Sequence, residues 1–177
     1  MTAVMKIKRG KTALILLLAA IGCTAVLLST GFLSTVNRNN RAFSRTVKKW
    51  VQQAREGDRI SLSELTPFSW DAVYTFDPYT SREEMEQALG FSSKDFRETV
   101  SEGMVQLIFV DYGDSAGTGK VVCSICGYDG NLGYFVDLGG RADRRSSFTS
   151  LNPSGDQMTL RIRENCPGLV FEEEIRY

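Results

Sequence analysis

Histidine is absent from the 177-residue chain. With it go the commonest general base, the Ser-His and Cys-His nucleophile pairs, and the usual zinc ligand. Acid is absent before Glu56, while Lys6, Lys8, Arg9, Lys11 and a second basic group from Arg38 to Lys49 all precede it. From residue 61 onward acids outnumber bases nineteen to ten. A formal charge of zero therefore hides a basic first third and an acidic remainder of net charge about −9. That remainder disfavours nucleic acid as a partner, because a phosphate backbone selects clustered Lys and Arg.

A third absence is charge of either sign between Thr12 and Val36. A helix of that length reaches roughly 37 Å and spans a hydrocarbon core of about 30 Å with some tilt. The expected organisation is a basic tail (1–11), a transmembrane or signal-anchor helix (12–36), a basic amphipathic juxtamembrane helix (37–59) and one folded domain (60–177). An uncleaved anchor is the leading reading. A lipoprotein tethered through Cys23 is the second, and cleavage near Ser29-Thr30-Gly31 is the third. Ala20-Ile21-Gly22-Cys23 resembles a lipobox, although Ala20 stands where that pattern prefers Leu and Ala25 to Leu28 are apolar where lipoproteins turn polar. Bases flank the span on both sides, so charge alone barely orients it. The short basic tail leading into the apolar run resembles an export signal and favours an extracytoplasmic domain at the cell membrane. A regulatory domain facing the cytoplasm is the alternative.

Phe43, Val47, Trp50, Val51 and Ala54 recur at helical spacing, with Gly57 placed to end the helix. The apolar stripe either packs on the following domain or lies in the membrane interface. In the second case Arg45, Lys48, Lys49 and Trp50 meet the headgroups.

Within the domain, Ile60-Ser61-Leu62 and Trp70–Phe76 read as extended segments, and Ser81 with Glu84 forms a capping box for a helix that exits at Gly90. A second short helix is expected from Ser93 to about Glu102. Four strand-like runs follow: Met104–Tyr112, Lys120–Gly127, Leu132–Leu138 and Gln157–Arg163. Tyr128-Asp129-Gly130-Asn131 is the strongest hairpin signal. The expected fold is α+β, with two short helices packed on one face of a four-stranded or larger antiparallel sheet. The segment Trp70-Asp71-Ala72-Val73-Tyr74-Thr75-Phe76-Asp77-Pro78-Tyr79-Thr80-Ser81 with the capped helix after it resembles a pattern in uncharacterised bacterial exported or membrane-anchored proteins. The order of elements also resembles small envelope lipoproteins and inhibitory proteins with two helices and four strands. Neither resemblance brings catalytic residues to this chain.

Tyr112 to Lys120 is glycine-rich, but Asp114 takes the first glycine position of a phosphate-binding loop, Val121 replaces the Ser/Thr, and a strand follows where a helix is required. It reads as a hairpin loop. Cys123 and Cys126 sit in a strand, so they point to opposite faces about 10 Å apart and cannot bridge each other. Cys166 is the candidate to pair with Cys123 or Cys126 in an exported domain. Neither a cofactor nor a metal site is expected. Glu83-Glu84-Glu86 reads as a solvated helix face and Glu172-Glu173-Glu174 as a tail. Trp70, Asp71, Tyr74, Asp77 and Tyr79 form the best candidate interaction surface, although closure of the join between an edge strand and the helix is the stronger reading of the same residues. The expected function is non-enzymatic binding in the bacterial cell envelope, with a carboxylate-based envelope enzyme as the alternative.

Overall fold

The computed structural model describes residues 34–113, 119–139 and 148–171. Helix α1 (Thr35–Val51) leads into strand β1 (Arg59–Ser61), the one-turn helix α2 (Leu62–Leu65) and strand β2 (Ala72–Phe76). Helix α3 (Arg82–Leu89), strands β3 (Met104–Asp111) and β4 (Lys120–Tyr128), the one-turn helix α4 (Asp129–Leu132) and strand β5 (Phe135–Asp137) follow. Strands β6 (Phe148–Leu151), β7 (Gln157–Arg163) and β8 (Cys166–Phe171) complete the described chain. The strands form two four-stranded sheets, ordered β4-β3-β2-β6 and β1-β7-β8-β5. The α+β class therefore stands, but the expected single antiparallel sheet is two sheets, and β5 pairs parallel with β8.

Strand β3 is central in its sheet and buried on both faces. Val105, Leu107 and Phe109 enter a first core shared with Met158 and Leu160 of β7 and Leu169 of β8. Phe109 is ringed edge-on by Phe43, Phe68 and Trp70, with centroids 5.2–5.6 Å apart, the geometry that aligns positive ring edges with negative ring faces. Ile108 and Val110 point the other way, into a second core with Phe76, Phe96, Val121 and the Met85 and Leu89 face of α3. The capping box is present: Ser81 Oγ accepts from the Glu84 N–H, and Glu84 reaches back to the Ser81 N–H. Gly90 exits at φ 79°.

Helix α1 belongs to both cores. Val36 joins the second, whereas Phe43, Val47 and Val51 join the first. The apolar stripe thus packs on the domain, and Trp50 is half-buried against the first core. In passing between cores the helix covers β4, which among the described residues is hydrogen-bonded to a strand on one side only. At β4 the register shifts between Phe109 and Val110, so that Val122 is the extra residue of a bulge. Asn39 Nδ2 donates to the Val122 carbonyl at 2.8 Å, and Asn40 Oδ1 accepts from the Ser124 N–H at 2.8 Å. Two side chains thereby satisfy edge groups that would otherwise template another strand.

Several expected boundaries move. The helix starts at Thr35 behind the N-cap Ser34 and ends at Val51, so Val36 leaves the proposed span. Gly57 sits at φ 92° in the turn to β1, where its N–H donates to the Leu160 carbonyl. Ser93 to Glu102 is not helical, because its carbonyls serve other elements: Phe96 accepts from Arg82, Arg97 from Gln106, and Thr99 from Tyr79. The turn after β4 is α4 rather than a hairpin, and Gly133 at φ 75° sends the chain to the second sheet. Residues 12–33 lie outside the described residues, among which no helix is long and apolar enough to cross a membrane.

Replacing Asn39 with Ala leaves the buried Val122 carbonyl without its side-chain donor and opens space beside it. Chemical denaturation is expected to show a loss of about 1–3 kcal/mol.

Candidate functional site

The five residues nominated as an interaction surface separate in the structure. Trp70 is buried in the first core, its Nε1 donating to Thr66 Oγ1 at 2.8 Å. Asp71 accepts from the Tyr112 N–H at 2.7 Å, tying the start of β2 to the end of β3. Tyr74 borders the second core, with its hydroxyl 2.8 Å from that of Tyr112. Burial and this contact push the Tyr112 phenol well above its ordinary pKa. The carbonyl of Asp77 accepts from both the N–H and Oγ1 of Thr80, closing the turn before α3. Tyr79 alone of the five is a large exposed side chain, at 69%. It also holds φ 68°, a left-handed conformation uncommon for a tyrosine, fixed by its N–H donating to Thr99. Val100, next to that acceptor, is 65% exposed.

A cleft of about 250 Å³ opens elsewhere, where the ends of the two sheets meet. Met104 and Val105 of β3 and Phe135 and Leu138 around β5 supply apolar walls, with Asp129, Asp137 and Arg163 as its charged residues. Arg163 Nη2 lies 2.8 Å from Asp137 Oδ2, and its guanidinium carbon is 4.6 Å from the Phe135 ring centroid. Ion pair and ring together fix a normally flexible side chain. Opposite it, Gly168 is required, since a Cβ there would overlap the Phe135 ring. The volume is below the roughly 300–1,000 Å³ of small-molecule pockets. Sequence reasoning missed this cleft because β5 and β8 meet only through a parallel pairing that no local pattern announces. Arg163 read simply as the wet side of an alternating strand.

Cys123, Cys126 and Cys166 are free thiols. The anticipated bridge from Cys166 to Cys123 or Cys126 is not formed: Cys123 and Cys126 lie on β4 in one sheet, whereas Cys166 begins β8 in the other. Desolvation pushes all three thiols above their ordinary pKa; Arg97 opposes the shift at Cys126, and Asp129 adds to it at Cys166. Thiols held in the neutral form are poor nucleophiles and poor ligands. Among the described residues no group of three Cys, Asp or Glu is placed to hold a metal ion. Cys23 and residues 114–118 of the glycine-rich loop lie outside the described residues, and the strands flanking that loop pair antiparallel with Asp111 opposite Lys120.

The remaining surface feature is the outer face of α1, where Arg38, Arg41, Arg45, Lys48 and Lys49 are all exposed. No protein-family model, curated protein or solved structure matches the chain.

Cys123 is fully buried as well as pKa-raised. Under native conditions near pH 8 it is expected to resist an aromatic disulfide reagent until the domain unfolds, with Cys166 reacting first. Mass spectrometry of the labelled peptides reads the order.

Proposed function

We propose that the protein is a membrane-anchored domain of the bacterial cell envelope, exposed outside the cytoplasm, that binds another envelope protein or ligand without catalysing a reaction. The observation that carries this reading is the uncharged run ending directly against Ser34, the N-cap of a helix built into the domain core. Assigning Ser34 to Val36 to the domain leaves residues 12–33 uncharged. At 1.5 Å per residue these still reach about 33 Å, sufficient for one crossing. The anchor therefore joins the domain without a spacer.

Binding rather than catalysis is favoured by the lack of histidine and by thiols held in their neutral form. Tyr79 with Val100 offers a partner an exposed apolar contact, and the backbone conformation of Tyr79 is one that persists only when its surroundings enforce it. The cleft at Arg163 offers a second contact sized for a side chain. Tethering through a lipid on Cys23 serves the same role and is favoured by Ala20-Ile21-Gly22-Cys23.

The test is the mass of the full-length membrane-extracted protein, with and without Cys23→Ala, joined to protease access in intact spheroplasts. An intact N-terminus and a domain cleaved from outside are expected. A Cys23-dependent lipid adduct with residues 1–22 missing replaces the helical anchor by a lipid, and a protected domain overturns the extracytoplasmic placement.

A further inference from the structure

We infer that the outer face of α1 is a docking surface for anionic phospholipid headgroups, with α1 lying between the bilayer and the edge of β4. The inference rests on the anchored reading and adds to it a fixed orientation. At 100° per residue, Arg38, Arg41, Arg45, Lys48 and Lys49 fall within an arc of about 100°. The buried residues Val36, Asn39, Phe43, Val47 and Val51 occupy the opposite side of the wheel. The bases extend about 17 Å along the helix, and α1 contains no acid.

The geometry at the helix start decides whether this face can reach the membrane. Ser34 is extended, with φ −62° and ψ 143°, and its side chain accepts from the Asn37 N–H. The helical hydrogen-bond ladder therefore begins afresh at α1 and does not continue from the preceding uncharged run. A chain that turns at Ser34 lets α1 lie along the surface, whereas an unbroken helix would carry Lys48 and Lys49 away from the headgroups.

Charge supplies the direction. Residues from 61 onward carry an excess of acid and are repelled by an anionic leaflet, whereas each base near such a surface favours contact about fivefold. Among the described residues, the α1 side of the domain carries the run of bases that is drawn down. The apolar stripe plays no part in this contact, since it is consumed by the two cores. Attraction is accordingly electrostatic and falls with salt.

The full chain, reconstituted into vesicles of phosphatidylcholine alone or with about one third phosphatidylglycerol, provides the test. A membrane-impermeant amine-reactive ester labels exposed lysines, and the ratio of labelling at Lys48 and Lys49 to that at Lys94 is read by mass spectrometry. Lys94 lies in the segment packed beside α3 and serves as the reference within the same molecule. The ratio is expected to fall at least about fivefold in the anionic vesicles and to recover in salt of about 0.5 M. A double variant, Arg38→Gln with Arg45→Gln, touches only exposed residues and is expected to lose most of the protection. Equal ratios in the two vesicles, with the protein floating with both, overturn the docking surface and leave the anchor standing. Failure to float with either vesicle overturns the anchor and the docking surface together.

Discussion

The fold depends on helix α1 covering the open side of β4. Without that cover, β4 would present unpaired backbone groups next to two half-exposed hydrophobic cores. The helix answers both needs at once: Asn39 and Asn40 bond the edge, while Val36 and the Phe43 stripe fill the cores on either face. Ser44 adds a contact to the buried Tyr134 hydroxyl at 3.1 Å. The bulge at Val122 suits this arrangement, because it turns a carbonyl out of the ladder toward the helix. The helix between the uncharged run and β1 is therefore part of the domain.

The uncharged run of the sequence ends directly against the first turn of α1, so whatever holds that run is coupled through Ser34 to a helix that fills both cores. The same constraint leaves one side of α1 outside the packing, and that side holds five bases. Chain order thus puts this basic side immediately after the uncharged run.

Much of this was legible in residue patterns. Phe43, Val47 and Val51 announced a packed helix, Ser81 with Glu84 a capped one, and β3, β4 and β7 appeared at nearly their observed limits. What failed were features settled by distant partners. Phe96 and Val100 have helical spacing, yet their segment gives its carbonyls to Arg82, Gln106 and Tyr79 instead of to itself. Strand β8, which no run in the sequence announced, is entered through a two-residue hairpin in which Glu164 and Asn165 both have positive φ. In β7, Met158, Leu160 and Ile162 alternate with Thr159, Arg161 and Arg163, a pattern that predicts one buried and one wet face, yet Ile162 is 51% exposed and Thr159 is buried. The residues nominated around Trp70 separate because Trp70, just before β2, enters the first core, Tyr74 within β2 borders the second, and Asp77 and Tyr79 lie in the turn that follows. Asp71 and Tyr79 remain exposed, and of the five only Tyr79 is a large exposed apolar side chain.

The most direct measurement is native-state hydrogen exchange of the backbone amides of Phe43 and Val47 in α1 beside those of Leu107 and Phe109 in β3. If α1 is integral to the cores, all four amides exchange through the same global unfolding, with matching protection and the same denaturant dependence. Exchange in α1 faster by orders of magnitude, at unchanged protection of β3, would show a detachable linker helix and contradict this account.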